Sequence, residues 1–140
     1  WTALMWAVEY GRYKTVEYLL EKKADVNYRN KSDMTAFHFS IEDDMEISSL
    51  LLKHGFNLKA KDDLGQNVLH FAAENGYLEG VEFLIDETGS ELLNEKDNNG
   101  DTPLDIAILE NECEVIDYIK KYQSSNKEIQ ESSVEINMIR

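Results

Sequence analysis

The sequence is poor in cysteine, in basic residues and in long apolar runs, and each scarcity excludes a class of protein. Cys113 is the only cysteine, so no disulfide forms within the chain, which fits a reducing, intracellular compartment. Lys and Arg number 14 against 28 Asp and Glu, a net charge of −14 that repels nucleic-acid phosphates. The apolar runs fall short of the roughly 20 residues that cross a bilayer. We therefore expect no nucleic-acid partner and no direct membrane insertion.

The remaining composition is that of a folded domain. The chain has 140 residues, of which 42% are hydrophobic, enough to build one substantial core. We expect an intracellular protein, cytoplasmic or alternatively nuclear. The chain begins at Trp1 without a Met, and Trp1, Leu4 and Trp6 give its first segment an apolar outer side. We therefore expect it to be a fragment of a longer protein that continues upstream.

A short apolar segment recurs four times at a nearly constant period, which is typical of repeat proteins. The copies start at Thr2, Thr35, Asn67 and Thr102, with spacings of 33, 32 and 35 residues. A second apolar segment follows each copy at a similar distance. The first segments are residues 2–8, 35–41, 67–73 and 102–108, and the second segments are residues 16–20, 48–52, 81–85 and 116–120.

The spacing of apolar residues inside each copy is helical. Leu4, Ala7 and Val8 stand at positions i, i+3 and i+4, on one face of a helix, and the other copies repeat this spacing. Thr2, Thr35 and Thr102 at the helix entrances can cap free N–H groups, and Pro103 fits the first helical position. Each helix pair has apolar faces that only a neighbouring pair can cover, which predicts an all-α solenoid of about four helix-turn-helix repeats. The first helices are expected to end at Gly11, Gly76 and Asn111.

The period and the motifs resemble the ankyrin repeat. Thr102-Pro103-Leu104 and Leu69-His70-Phe71-Ala72 are similar to the opening of that repeat, and Ala24-Asp25-Val26-Asn27 is similar to its end. The resemblance implies helix pairs joined by β-hairpin-like loops over residues 1–122, with repeats at about 1–30, 31–62, 63–97 and 98–122. The second repeat is one residue short near Asp43, and the third carries two extra residues between 86 and 92.

The resemblance also implies a scaffold or adaptor that binds a partner protein or peptide on its concave face. The first helices would contribute Glu9, Tyr10, Glu42, Asp43, Glu74, Asn75, Leu109 and Glu110. The hairpin tips would contribute Arg29, Lys31, Met34, Lys61, Asp63, Leu64, Gln66, Asn98, Asn99 and Asp101. Because the helix positions are mainly acidic and some neighbours are apolar, a basic, partly apolar partner fits best. The alternative is a regulatory or targeting domain of a larger enzyme or channel.

A search for catalytic and metal-binding chemistry gives only structural interpretations. His38 and His70 occupy the histidine position of the family motif, where the imidazole bonds backbone near the next unit. Residues 97–101 resemble a calcium loop but lack the Glu that would close it. Cys113 is expected to be a small buried hydrophobe, and Asn27 a turn asparagine, although in this family such an asparagine can be hydroxylated. We therefore expect no enzyme, no cofactor and no metal.

Two further features need an interpretation. Trp6, Phe39, Phe71 and Ile106 stand at the same place in the four repeats, and packing between units explains them better than an aromatic floor for a ligand.

Residues 123–140 break the repeat as a polar C-terminal extension whose composition predicts disorder. We expect this tail to be ordered by docking as an extended segment, on its own solenoid or on a neighbouring chain. Continuation of the last helix is the weaker alternative.

Overall fold

The computed structural model describes residues 1–42 and 44–139, with side chains for residues 1–42 and 44–127. Within these ranges the chain forms eight α-helices and no β-strand, which confirms the all-α solenoid. A 3₁₀ turn at Leu92–Asn94 precedes the last helix pair. The helices are α1 (Ala3–Glu9), α2 (Tyr13–Glu21), α3 (Ala36–Ser40), α4 (Met45–Lys53), α5 (Val68–Glu74), α6 (Leu78–Thr88), α7 (Pro103–Leu109) and α8 (Cys113–Ile139).

The first helix of each pair begins where the sequence predicts a cap. Thr2 Oγ1 accepts a hydrogen bond from the Met5 N–H, and Asn67 Oδ1 accepts from the N–H groups of Leu69 and His70. Pro103 occupies the first position of α7, where a missing N–H costs little. These caps satisfy backbone donors that a helix start would otherwise leave unpaired.

Left-handed residues end three of the first helices. Gly11, Gly76 and Asn111 follow α1, α5 and α7 with φ of 64°, 70° and 58°, which confirms the predicted stops. The second repeat differs, because α3 has only five residues, whereas the other first helices have seven. The missing residue of this repeat thus coincides with a shorter first helix.

The helices pack in two layers. The first helices lie side by side, α1 against α3 and α5 against α7, and the second helices continue from α2 through α4 and α6 to α8. Apolar side chains between the layers form one core that runs through all four repeats. Phe37, Leu69, Leu84 and Ile119, for example, are fully buried. Each repeat thus covers the apolar face of its neighbour, as expected of a solenoid.

Tight hairpin-like turns, rather than paired strands, connect the repeats. In each turn the N–H of the first residue donates to the carbonyl of the fifth, at Asn30, Asp62 and Asp97. The fourth residue is left-handed, Asp33 in the first turn and Gly in the other two. Asp tolerates this conformation better than most side chains, which explains its place there.

The tail was predicted wrongly as an extended segment. Helix α8 runs without a break from Cys113 to Ile139, so the weaker alternative, continuation of the last helix, is correct. The physical reason is local: after Cys113 the sequence has no Gly and no Pro, the two residues that disfavour a helix most strongly. Contacts of side chains beyond residue 127 lie outside the described residues, so docking of the tail stays a prediction.

Candidate protein-binding surface

The C-terminal ends of the first helices carry a row of exposed side chains. Every described member of the predicted helix set is exposed, and Asp43 lies outside the described residues. Tyr10 and Leu109 keep 63% and 69% of their surface in solvent, which is high for large apolar side chains. We call this row the first-helix surface, and its residues are Glu9, Tyr10, Glu42, Glu74, Asn75, Leu109 and Glu110.

The predicted hairpin residues divide into exposed and half-buried groups. The exposed group includes Leu64, which keeps 64% of its surface in solvent. The half-buried group is Arg29, Met34, Gln66 and Asp101. Solvent therefore reaches the tips themselves better than the bases of the turns. The exposed tip residues are Lys31, Lys61, Asp63, Leu64, Asn98 and Asn99.

Hydrogen bonds join the tips of successive hairpins, and we call this set the tip ladder. Asp63 N–H donates to Asp33 Oδ2 at 3.0 Å. Asn98 N–H donates to the Leu64 carbonyl at 2.9 Å, and Asn98 Nδ2 donates to the Asp63 carbonyl at 3.0 Å. Arg29 Nη1 lies 3.0 Å from Asp33 Oδ1. Arg29 and Asn98, predicted to meet a partner, thus already have partners within the chain.

Asp33 was missed by the sequence reasoning, although a signal existed. It stands where the later hairpins have Gly65 and Gly100, so only a residue that tolerates a left-handed backbone fits. The Asp33 carboxylate then accepts from both Arg29 and the next hairpin, and the hydrogen bond from Arg29 is the main cause that lowers the pKa of Asp33. A non-glycine residue at a glycine position was the clue.

Asn27 forms a second connection between repeats. Its Oδ1 accepts from the Asn57 N–H at 2.9 Å, and its Nδ2 donates to the Gly55 carbonyl at 3.2 Å. The expected turn asparagine is therefore present, and the backbone it bonds belongs to the next repeat. Both ends of its amide are used in joining the repeats.

Two lysines of the second loop pair with acids of the third repeat. Lys59 Nζ lies 2.8 Å from Glu91 Oε1, and Lys61 Nζ lies 3.1 Å from Glu95 Oε2. The hydrogen bond to Glu91 raises the pKa of Lys59. Exposed ion pairs of this kind add little stability. They do offset part of the basic charge of the hairpins.

The buried histidine of the third repeat has the structural role that was predicted. His70 is fully buried, and its Nδ1 accepts from the Asn67 N–H at 3.1 Å. Its Nε2 bonds the Asp101 carbonyl, in the next unit, at 2.9 Å. The imidazole thus joins a helix cap to the following hairpin.

His38 has the corresponding place in the second repeat. Its Nδ1 accepts from the Thr35 N–H at 2.9 Å, and its ring meets the edge of Phe71 with centroids 4.8 Å apart. Burial, and then the charge of Arg29, lower the pKa of His38 from 6.5 to about 4. A protonated Nδ1 could no longer accept the hydrogen bond from the Thr35 N–H and would repel that group. The fold therefore favours the neutral imidazole ring.

We expect stability to fall as the pH drops from about 6.5 to 4, because the unfolded chain binds a proton at His38 that the folded chain rejects. The loss attributable to His38 is about 2 kcal/mol between pH 7 and pH 5. In His38→Gln the amide oxygen can still accept from the Thr35 N–H, so this variant should show a shallower pH dependence in urea melts.

The control for this experiment is His54→Gln, because His54 lies exposed at the end of α4. It should keep the slope of the wild type between pH 7 and pH 5. Equal slopes for His38→Gln and the wild type would contradict the assignment.

The aromatic column follows the packing interpretation in part. Phe71 and Phe39 are half-buried and Ile106 is buried, and Phe71 contacts His38 of the preceding repeat. Trp6 is the exception, with 49% of its surface exposed. Its indole instead stacks on Tyr10, with ring centroids 5.7 Å apart and planes 3° from parallel.

Cys113 was wrongly expected to be buried. Its side chain is exposed at the start of α8, because the buried face of that helix begins at Val115 and continues at Ile119.

In the part of the chain that the structure describes, no group of three or more His, Cys, Asp or Glu side chains is placed to hold a metal ion. Among the described residues, no helix combines the length and apolar character needed to span a membrane.

The sequence of this chain is similar to a family model and to several known proteins. A family model described as ankyrin repeats, with three copies, matches residues 4–92 and 65–131. An ankyrin repeat protein of Acanthamoeba polyphaga mimivirus is 29% identical over 93 residues, which cover 66% of this chain and 12% of that protein. Inversin of Mus musculus is 33% identical over 107 residues, which cover 73% of this chain and 10% of inversin.

A shorter relative comes from Saccharomyces cerevisiae and is named "Probable 26S proteasome regulatory subunit p28". It is 31% identical over 113 residues, which cover 79% of this chain and 49% of that protein. The first relatives are much longer, and this chain spans 12%, 20% and 10% of their length.

Proposed function

Because the chain belongs to the ankyrin repeat family, whose repeats are generally protein–protein interaction modules, we propose that it binds a partner protein or peptide on its concave face. The observation that carries this proposal is the first-helix surface. Glu9, Glu42 and Glu74 stand at the same place in three successive repeats, and all are exposed. Among the described residues none of them forms an ion pair.

The chemistry of that surface supports a basic, partly apolar partner. Its carboxylates would steer a cationic segment toward the face, and the exposed side chains of Tyr10 and Leu109, together with Leu64 of a hairpin tip, would supply apolar contact. The exposed hairpin tips form the second half of the proposed surface, and Lys61 among them is already paired with Glu95. The predicted helix and tip residues together form the proposed binding site.

A second candidate is a regulatory or targeting domain of a larger enzyme or channel. The observation that favours it is length, because this chain matches only 10% to 20% of the first relatives. The family is typically non-catalytic, and we propose that this domain contributes recognition rather than chemistry. The single, exposed thiol supports an intracellular location, cytoplasmic or nuclear.

We expect a variant with Tyr10→Ala, Glu42→Lys and Glu74→Lys to lose the partners that the wild-type domain retains from a cell extract. Reversing two charges and removing one exposed ring should weaken binding at least tenfold, since each change removes attraction to a basic partner. The measurement is a quantitative pull-down at low and high salt, with wild-type retention falling as salt rises.

The matched control places the same changes on the second helices, as Tyr18→Ala, Glu46→Lys and Glu79→Lys, all exposed positions. It has the same net charge as the first variant and should retain the wild-type partners. Equal recovery by both variants, with the same salt dependence, would show that the first-helix surface is not the binding site.

A further inference from the structure

A surface cavity of about 430 Å³ opens at the ends of α1 and α3. We call it the Tyr10 pocket. Tyr10 and Phe39 are among the residues that line it, and carboxylates line it through Glu9, Glu42 and Asp44. Its lining is therefore mainly polar and anionic with two aromatic residues beside it, and it lies on the first-helix surface.

The aromatic wall is held in place before any partner arrives. The Trp6 ring lies parallel to the Tyr10 ring at 5.7 Å, and Trp1 bridges Trp6 and Phe39 with centroids 4.8 and 4.5 Å away. Tyr10 nevertheless remains 63% exposed. A stacked ring with an open face is a ready platform for a flat group, because little side-chain freedom is lost on binding.

The carboxylates differ in how they are held. Asp44 caps α4, with Oδ1 accepting from the Ile47 N–H at 3.1 Å, and its Oδ2 lies close to Gly11. Glu9 and Glu42 are exposed at the rim. A metal ion is the wrong occupant, because in the described residues these acids do not come together as a metal-binding group.

Resting on the proposed function, we propose that the Tyr10 pocket binds an arginine side chain of the partner, stacked on Tyr10 and paired with Glu9 and Glu42. A planar guanidinium stacks on an aromatic ring and donates two parallel hydrogen bonds to a carboxylate, so it can use both the exposed Tyr10 ring and the carboxylates that line the cavity. A lysine ammonium is compact and strongly hydrated, and it fits neither geometry as well. The pocket thus favours arginine over lysine.

The test uses three capped pentapeptides, acetyl-Gly-Ser-X-Ser-Gly-amide, in which X is arginine, lysine or citrulline. Each is titrated into the ¹⁵N-labelled chain, and the amide signals of Tyr10, Gly11 and Glu42 and the Trp6 indole N–H are followed by NMR. We expect saturable shifts at these groups, with arginine bound at least threefold tighter than lysine. Citrulline, which keeps the shape without the charge, should give no saturable shift.

Two variants locate the site. Tyr10→Ala with Glu42→Gln should weaken the arginine peptide at least fivefold, since it removes the stacking face and one paired carboxylate. Tyr18→Ala with Glu46→Gln changes the same residue types on the second helices and should bind as the wild type does. Because all four side chains are exposed, both spectra should stay well dispersed, which shows that each variant is folded.

Several outcomes would overturn the proposal: no saturable shift with the arginine peptide, equal affinity for the lysine or citrulline peptide, or shifts centred away from the pocket. Failure here is distinguishable from failure of the wider function. If Tyr10→Ala with Glu42→Lys and Glu74→Lys still loses its partners in the pull-down, the surface binds protein without an arginine in this pocket.

Discussion

Ala72→Glu is expected to lower the melting temperature of the chain by more than about 10 °C. Ala72 is fully buried in α5, a helix that packs against both α6 and α7. A glutamate there buries a carboxyl group among apolar side chains and adds volume to a close-packed site. The combined cost should exceed about 4 kcal/mol, a large share of the roughly 5–15 kcal/mol by which a domain is stable. Circular dichroism at 222 nm during heating measures it.

The control for Ala72→Glu is Ser49→Glu, which places the same side chain at an exposed position of α4. It should melt within a few degrees of the wild type, because surface substitutions away from special contacts cost about 0.5 kcal/mol or less. Unchanged melting of Ala72→Glu itself would mean that the repeats do not stack in the described register.

Gly80→Ala is expected to destabilise the chain by about 3 kcal/mol, although alanine favours helices. Helix propensity alone predicts a gain of about 1 kcal/mol, because Gly80 lies in the first turn of α6. A Cβ there, however, would overlap the carbonyl oxygen of Ile41 and lie 2.9 Å from its Cγ1. Since one of these atoms belongs to the backbone, α3 and α6 must separate to admit the methyl group. The cost of this separation exceeds the gain in helix propensity.

Whether Gly80→Ala lowers or raises the free energy of unfolding decides this prediction, and urea unfolding measures that free energy. Glu79→Ala is the matched control, since Glu79 is the exposed neighbour in the same helical turn. It should change stability by only a few tenths of a kcal/mol. A Gly80→Ala protein more stable than the wild type would show that α3 and α6 do not approach this closely.

Much of this fold was predictable because its determinants are local and repeated. The stops at Gly11, Gly76 and Asn111 depend only on which residues accept a left-handed backbone, and a fourfold pattern reveals that preference. The missing residue of the second repeat was also readable from alignment with its neighbours. The close approach of the Ile41 carbonyl to Gly80 of α6 was not readable, because it depends on the distance between two helices.

The structure of the tail and the burial of the aromatic residues were not predictable from the sequence pattern alone. Polar composition predicted disorder and then docking for residues 123–140, whereas a run without Gly or Pro simply prolonged α8. Trp6 shared its register with Phe71, yet Trp6 is 49% exposed whereas Phe71 is half-buried against His38. A repeat register fixes equivalent positions, but the burial of each depends on which neighbours surround it.

For the candidate surface, the position of a residue within its repeat predicted its exposure to solvent better than it predicted its ion pairs. The helix residues are exposed as expected, because their place on the helix follows from spacing alone. The ion pair of Arg29 with Asp33 and that of Lys61 with Glu95 arise from side-chain reach. A pattern of residue types carries no information on that reach.

The tip ladder also bears on how such a surface can change over evolutionary time. Asp63 enters the ladder only through its N–H and carbonyl, and Leu64 only through its carbonyl. Their side chains can therefore be exchanged while the atoms that fix the spacing of the hairpins stay in place. Mutations at these two tips can alter which partner is recognised while the architecture that presents them is inherited unchanged.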